Sequence, residues 1–105
     1  MKLLPKEEYK KVEELLRTFG LCASIEEPYK SAMNDIIEFF NDKEYGMLLD
    51  IFYLNRYKYV NRLPTNEMIF IYLSSKLNIP KPTLYLMRKE MVYKAAMIFY
   101  KYDIL

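Results

Sequence analysis

The sequence predicts an all-α fold of about five helices. Its apolar residues recur at intervals of three and four, which is the spacing of one helix face, rather than at the interval of two that strands show. The chain has two glycines and no Asn-Gly or Asp-Gly pair of the kind that joins two strands. With 105 residues, 52% hydrophobic and 29% charged, it is long enough for one core. We expect a single domain, 1–105, made of an acidic helical hairpin at 1–42 and a three-helix unit at 43–105.

Two helices are expected in the acidic part. The first follows Pro5, carries one apolar stripe and stops at Gly20, because glycine is a common helix end. The second opens at Pro28 and continues to about Phe40. The stripe of the first helix consists of Tyr9, Val12, Leu15, Leu16 and Phe19.

Three helices are expected in the second part. A third helix covers about 43–59, and a fourth runs from a capping Thr65 to Leu77. The run MIFIYL in the fourth helix is apolar almost all round, which predicts the most buried helix, with a short strand as the competing interpretation. The fifth helix starts around Lys81 or Pro82 and continues past Phe99.

The charges are divided unevenly along the chain. Residues 1–50 carry seven Lys or Arg against eleven Asp or Glu, a net charge of −4, whereas residues 51–105 carry nine against three, a net charge of +6. This asymmetry favours an anionic partner for the second half alone. Attraction between the two halves is the alternative explanation.

Several chemistries lack the residues that they need. The chain has one cysteine, Cys22, and no histidine, so we expect no internal disulfide, no metal site and no cofactor. Without histidine or a glycine-rich phosphate loop, we expect no enzymatic activity. A lone cysteine favours a reducing, cytoplasmic compartment. No apolar run reaches membrane-spanning length, and the start, MKLLPKEEYKK, becomes charged too early for a signal peptide.

The segment 73–89 has the pattern of two helices joined by a tight corner. Asn78 falls where the corner needs a residue that tolerates a left-handed backbone. Ser74 is small where the second helix approaches the first. The positions where the helices should touch are apolar, namely Leu73, Leu77, Ile79, Leu84 and Met87. This pattern is typical of a helix-turn-helix, whose second helix enters the DNA major groove.

The start of the fifth helix supplies the predicted DNA contacts. Lysine and arginine side chains bind guanine or phosphate, and hydroxyl groups donate to phosphate. Between residues 76 and 101 the chain carries six positive residues and one negative residue, which favours this role. The predicted DNA-binding residues are Lys76, Lys81, Thr83, Tyr85, Leu86, Arg88 and Lys89.

The segment Pro64–Ala95 resembles the DNA-binding helices of bacterial sigma factors and of small phage regulators of the ArpU type. The resemblance is carried by LPTNE at 63–67, SSKLNI at 74–79 and PTLYLMRKE at 82–90. It implies a phage- or mobile-element-encoded transcriptional regulator that binds double-stranded DNA. RNA polymerase or another protein is a further candidate partner, and a homodimer through 1–43 or the end of the fifth helix is an option.

An apolar patch at the start of the fifth helix supports a second interpretation. Pro80, Pro82, Tyr85 and Leu86 can touch thymine methyl groups, but such clusters also mark protein-binding sites. The alternative function is therefore a non-enzymatic interaction module or inhibitor that uses the face formed by Tyr85 and Leu86.

Overall fold

The regular structure in the computed structural model is helical throughout the residues that it describes, 4–21 and 25–105. The all-α prediction is therefore confirmed. Cys22 lies outside the described residues. The elements are α1 (Lys6–Leu21), α2 (Tyr29–Phe39), α3 (Lys43–Leu49), a π-helical segment π1 (Asp50–Leu54), α4 (Arg56–Tyr59), α5 (Asn66–Leu77) and α6 (Lys81–Lys101).

Side-chain caps begin α3 and α5. The Asp42 carboxylate accepts a hydrogen bond from the Tyr45 backbone N–H at 3.1 Å. The Thr65 hydroxyl accepts one from the Met68 backbone N–H at 3.2 Å, which confirms the predicted cap. Each cap satisfies one of the backbone donors that the first turn of a helix leaves free.

The predicted third helix has the expected span but is not continuous. In π1, the Asn55 N–H donates to the Asp50 carbonyl at 2.8 Å, five residues back, and the Asn55 side chain donates to the Asp50 carboxylate. Tyr59 donates to the same carboxylate at 3.2 Å. These bonds stabilise the wide turn that separates α3 from α4. Three consecutive side chains in it are buried, those of Ile51, Phe52 and Tyr53.

One hydrophobic core contains side chains from both halves of the chain. Helix α1 lies against π1 and α6, and its contacts with α2 are less extensive. Gly20 is where α1 meets π1, because a Cβ atom at this position would lie 2.5 Å from the Cα and O atoms of Leu54. The prediction that Gly20 stops the helix is wrong, since α1 continues to Leu21 and no described glycine has a positive φ.

The expectation that the fourth helix is the most buried is also wrong. Helix α5 buries Ile69, Phe70 and Leu73, but Ile71 and Met68 are 53% and 40% exposed. Helix α5 packs mainly against α6 and π1, and Ile71 and Met68 lie on the surface that these elements leave uncovered. Helix α6 buries more side chains, namely Leu84, Met91, Val92, Ala95, Ala96 and Phe99.

Candidate nucleic-acid interface

The corner between α5 and α6 has the predicted backbone. Asn78 adopts the left-handed conformation, with φ 56° and ψ 45°. The Ser74 hydroxyl donates to the Ile79 carbonyl at 2.7 Å, so this small side chain ties the corner to the preceding helix. Leu73 and Leu84 are fully buried on either side. The corner is therefore held by one left-handed residue, one hydroxyl and an apolar contact.

Helix α6 begins without a side-chain cap. Pro80 occupies the capping position, and Pro82 lies in the first turn. Proline fits there because the first-turn N–H groups have no partner within the helix. The Leu84 N–H donates to the Pro80 carbonyl at 3.1 Å and closes the first turn.

Most of the predicted DNA-binding side chains lie on the surface. Leu86 is the most exposed large apolar residue among those described, at 58%. Lys81 is partly exposed. The other residues of the set that face solvent are Lys76, Thr83, Tyr85 and Lys89.

Glu67, near the start of α5, binds two of these side chains. Its carboxylate accepts hydrogen bonds from the Lys81 ammonium at 2.9 Å and from the Tyr85 hydroxyl at 3.0 Å. These two bonds lower the pKa of Glu67, and the bond to Glu67 raises the pKa values of Lys81 and Tyr85. The Tyr85 ring also contacts the Phe70 ring, with 4.2 Å between centroids. Lys81 and Tyr85 are thus held along the α5 side of α6.

Arg88 differs from the prediction, because its side chain is only 13% exposed and points into the core. Its Nη2 donates to the Glu13 carboxylate at 2.7 Å, and its Nε donates to the Tyr53 hydroxyl at 3.0 Å. The guanidinium also lies over the Phe52 ring, 4.2 Å from its centroid. These contacts occupy the group that was predicted to bind DNA, so we leave Arg88 out of the candidate interface.

The polar cluster around Arg88 is closed by Glu13 of α1. The Tyr53 hydroxyl donates to the same carboxylate oxygen at 2.6 Å. Burial raises the pKa of Tyr53 well above its ordinary value, although the charge of Arg88 opposes this effect. Arg17 lies 3.8 Å from that oxygen, at the spacing of an ion pair on one helix.

The structure adds two lysines to the candidate interface, and both lie in the half of the chain whose net charge is negative. Lys6 and Lys10 of α1 line one cavity together with Lys89 of α6. The cavity has a volume of about 500 Å³ and lies between α1, the start of α5 and the middle of α6. Its other lining residues include Tyr9, Asn66 and Tyr93. An average over residues 1–50 hides these lysines, because the nearby acidic residues outnumber them.

A stripe of alternating lysine and tyrosine runs along this side of α6. Lys81, Tyr85, Lys89 and Tyr93 recur every four residues, so they advance slowly around the helix from α5 towards the cavity. This four-residue spacing is visible in the sequence, so the stripe itself is predictable from the sequence. Ammonium and aromatic groups in alternation are suited to phosphates and base rings, respectively.

Comparisons with protein-family models, with curated proteins and with solved structures find no match for this chain. Within residues 4–21 and 25–105, no helix has both the length and the apolarity needed to span a membrane. The same residues contain no cluster of three or more acidic, cysteine or histidine side chains arranged to hold a metal ion.

Proposed function

We propose that this chain binds double-stranded DNA through the N-terminal half of α6 and acts as a transcriptional regulator. The observation that carries the proposal is the exposed start of α6, directly after a left-handed corner, together with the lysines that line the cavity beside the middle of α6. Thr83, Leu86 and Lys89 face solvent on α6. Lys76 near the end of α5 is also exposed, and Lys6 and Lys10 of α1 line the cavity together with Lys89.

The proposed contacts divide into two kinds. Lys89 and Leu86 face the groove, where an ammonium group binds guanine acceptors and an apolar side chain touches thymine methyl groups. Lys76 and Lys10 bind phosphates, which orient the helix without distinguishing bases. This division predicts that the phosphate lysines set the salt dependence and that α6 sets sequence preference.

Fluorescence anisotropy with a random pool of labelled duplex DNA tests the proposal. We expect binding whose affinity falls steeply as salt rises, because bound lysines release counterions from the phosphates. Lys89→Glu should weaken binding by roughly tenfold or more, since it replaces an attraction by a repulsion at the centre of the surface.

Lys58→Glu is the matched control. Lys58 is an exposed lysine of α4, outside the proposed surface, and its replacement makes the same change in net charge. It should therefore weaken binding much less than Lys89→Glu. Equal effects of the two variants would count against a specific role for α6, and no duplex binding even at low salt would reject the proposal.

The exposure of Leu86 favours a second candidate function, a protein-interaction module. An apolar side chain exposed to 58% beside Pro82 and Tyr85 is suited to a protein partner as well as to DNA. This function requires no duplex affinity, so the anisotropy measurement separates the two candidates. Loss of a partner in Leu86→Arg, with duplex binding absent in the parent chain, would support the interaction module.

A further inference from the structure

The cavity between α1, α5 and α6 has the size of a small-molecule site. Its volume of about 500 Å³ lies within the roughly 300–1,000 Å³ that ligand pockets usually occupy. Three elements contribute to its wall, so the cavity depends on the tertiary fold. Helix α1 provides Lys6, Tyr9 and Lys10, the start of α5 provides Asn66, and α6 provides Lys89 and Tyr93.

The charge around the cavity favours an anionic ligand. Among the described residues, no carboxylate lies within ion-pair distance of the ammonium groups of Lys6, Lys10 or Lys89. The carboxylate that does reach the lining, that of Glu13, is already paired with Arg88. The three lysines therefore leave unpaired positive charge in the lining, and lysine is a common ligand of phosphate groups.

The remaining walls favour a ligand that also carries a flat ring. Tyr9 of α1 and Tyr93 of α6 bring two aromatic side chains to the lining, and rings of this kind stack on bases. Asn66 adds an amide, which can both donate and accept hydrogen bonds. A phosphate, a ring and hydrogen-bonding edges are combined in one common class of small molecule, the nucleotides.

We propose that this cavity binds a nucleoside monophosphate, with its phosphate at Lys6, Lys10 and Lys89 and its base between Tyr9 and Tyr93. The site goes beyond the proposed function, because a chain without duplex affinity can still bind a nucleotide here. Lys6, Lys10 and Lys89 belong to both surfaces, so a bound nucleotide would occupy three of the lysines proposed for the DNA contact.

Isothermal titration calorimetry of the full chain with AMP, GMP, CMP and UMP tests the proposal. We expect at least one of them to bind saturably with a Kd below about 1 mM. Adenosine, which lacks the phosphate, and inorganic phosphate, which lacks the ring, should each bind at least roughly tenfold more weakly than the preferred nucleotide.

Two variants assign the binding to this cavity. Lys10→Gln removes one ammonium group, and Tyr93→Ala removes one ring, so each should weaken nucleotide binding by roughly fivefold or more. Lys94→Gln is the matched control, because Lys94 is an exposed lysine of α6 that does not line the cavity. Circular dichroism checks that each variant keeps its helices.

Three results would overturn the proposal. They are the absence of binding by all four nucleotides up to about 5 mM, inorganic phosphate binding as tightly as the best nucleotide, and an equal loss in Lys94→Gln and Lys10→Gln. The duplex measurement is independent of these results, so failure of one proposal does not imply failure of the other.

Discussion

The Arg88 side chain forms an ion pair with the buried Glu13 instead of lying on the surface. Glu13 is 9% exposed, and two donors, Arg88 and Tyr53, bind the same oxygen of its carboxylate. A buried ion pair contributes little net stability compared with apolar residues of the same shape, but removing one partner leaves an uncompensated charge. Arg88 is therefore expected to matter for stability.

Replacing Arg88 by alanine should lower the free energy of unfolding by about 3–5 kcal/mol, because it leaves the buried Glu13 carboxylate without its main partner. Urea denaturation followed by circular dichroism measures the change. The double variant Glu13→Gln/Arg88→Met should recover a large part of the loss, since it removes both charges.

Lys89→Ala is the control at the neighbouring position. Lys89 is exposed, so its loss should change stability by no more than about 0.5 kcal/mol. An Arg88→Ala variant that kept its stability but lost duplex affinity would contradict the buried role and return Arg88 to the candidate interface.

The sequence contained part of the information about Arg88. Leu84, Arg88, Met91 and Ala95 follow the spacing of a buried helix face, so the periodicity placed Arg88 inward while its charge suggested the surface. Its partner was not predictable in the same way, because Glu13 lies 75 residues away along the chain. Long-range ion pairs have no local pattern.

At the scale of elements, α1 and π1 are closely packed where Gly20 meets Leu54. Gly20→Ala should lower the free energy of unfolding by about 1–3 kcal/mol, because the new Cβ would lie 2.5 Å from backbone atoms of Leu54. The higher helix propensity of alanine, about 1 kcal/mol, offsets only part of this cost. Urea denaturation tests the prediction.

Gly46→Ala provides the comparison within another helix. A Cβ at Gly46 would lie 3.2 Å from the Phe40 carbonyl oxygen, so a small adjustment is enough to accept it. The loss should be smaller than in Gly20→Ala, and the propensity gain can cancel it. A Gly20→Ala chain as stable as the parent would show that α1 and π1 can separate without cost.

Helix positions were predictable to a greater extent than the contacts between helices. The cap at Thr65 and the left-handed Asn78 follow from local chemistry, and both were predicted. The break at π1 depends on Asp50 and Asn55 binding each other across one turn, an arrangement that a helical pattern through 43–59 does not reveal. Gly20 was misinterpreted because the sequence does not distinguish a glycine that ends a helix from one that lets two backbones come close together.

At the scale of the whole molecule, the tyrosines make the stability of the fold depend on pH in the alkaline range. Six of the eleven have pKa values raised by burial or by hydrogen bonds to carboxylates, namely Tyr9, Tyr45, Tyr53, Tyr59, Tyr85 and Tyr102. For Tyr45, burial and then the bond to Glu90 raise the pKa to about 12.

Stability should therefore fall as the pH rises from about 10 towards 12. In this interval the unfolded chain has released the phenolic protons that the folded chain still holds, so added base favours unfolding. Well below the ordinary tyrosine pKa of 10 both states are protonated, and this contribution is constant. Urea denaturation at a series of pH values, with tyrosinate absorbance recorded in parallel, measures the effect.

Tyr45→Phe is the matched variant, because it removes one of the raised pKa values and keeps the ring. Its stability should decline less steeply over the same pH interval than that of the parent. Complete tyrosinate formation near pH 10 in a chain that remains folded would contradict the prediction.

The sequence alone did not predict which charged residues share a surface, and the three-dimensional structure was needed to identify them. Net charge by half of the chain suggested that only residues 51–105 form a basic surface, yet α1 brings Lys6 and Lys10 to the same cavity as Lys89. Sums over a segment of sequence do not record which side chains lie together in space, and they omit that the one α1 carboxylate lining this cavity, that of Glu13, is paired with Arg88. The stripe from Lys81 to Tyr93 was readable from spacing alone, but its position beside α1 was not.

Glu67 has a consequence for any anion that approaches α6. Its carboxylate occupies Lys81 and Tyr85 from within the same molecule, so it acts as a tethered competitor that dilution cannot remove. The Lys81 ammonium has three N–H donors, so it can still bind a phosphate, but the neighbouring Glu67 carboxylate weakens its attraction for that phosphate. Among the described residues, no carboxylate lies within ion-pair distance of Lys89, so Lys89 is the lysine of the stripe that should attract an approaching anion most strongly.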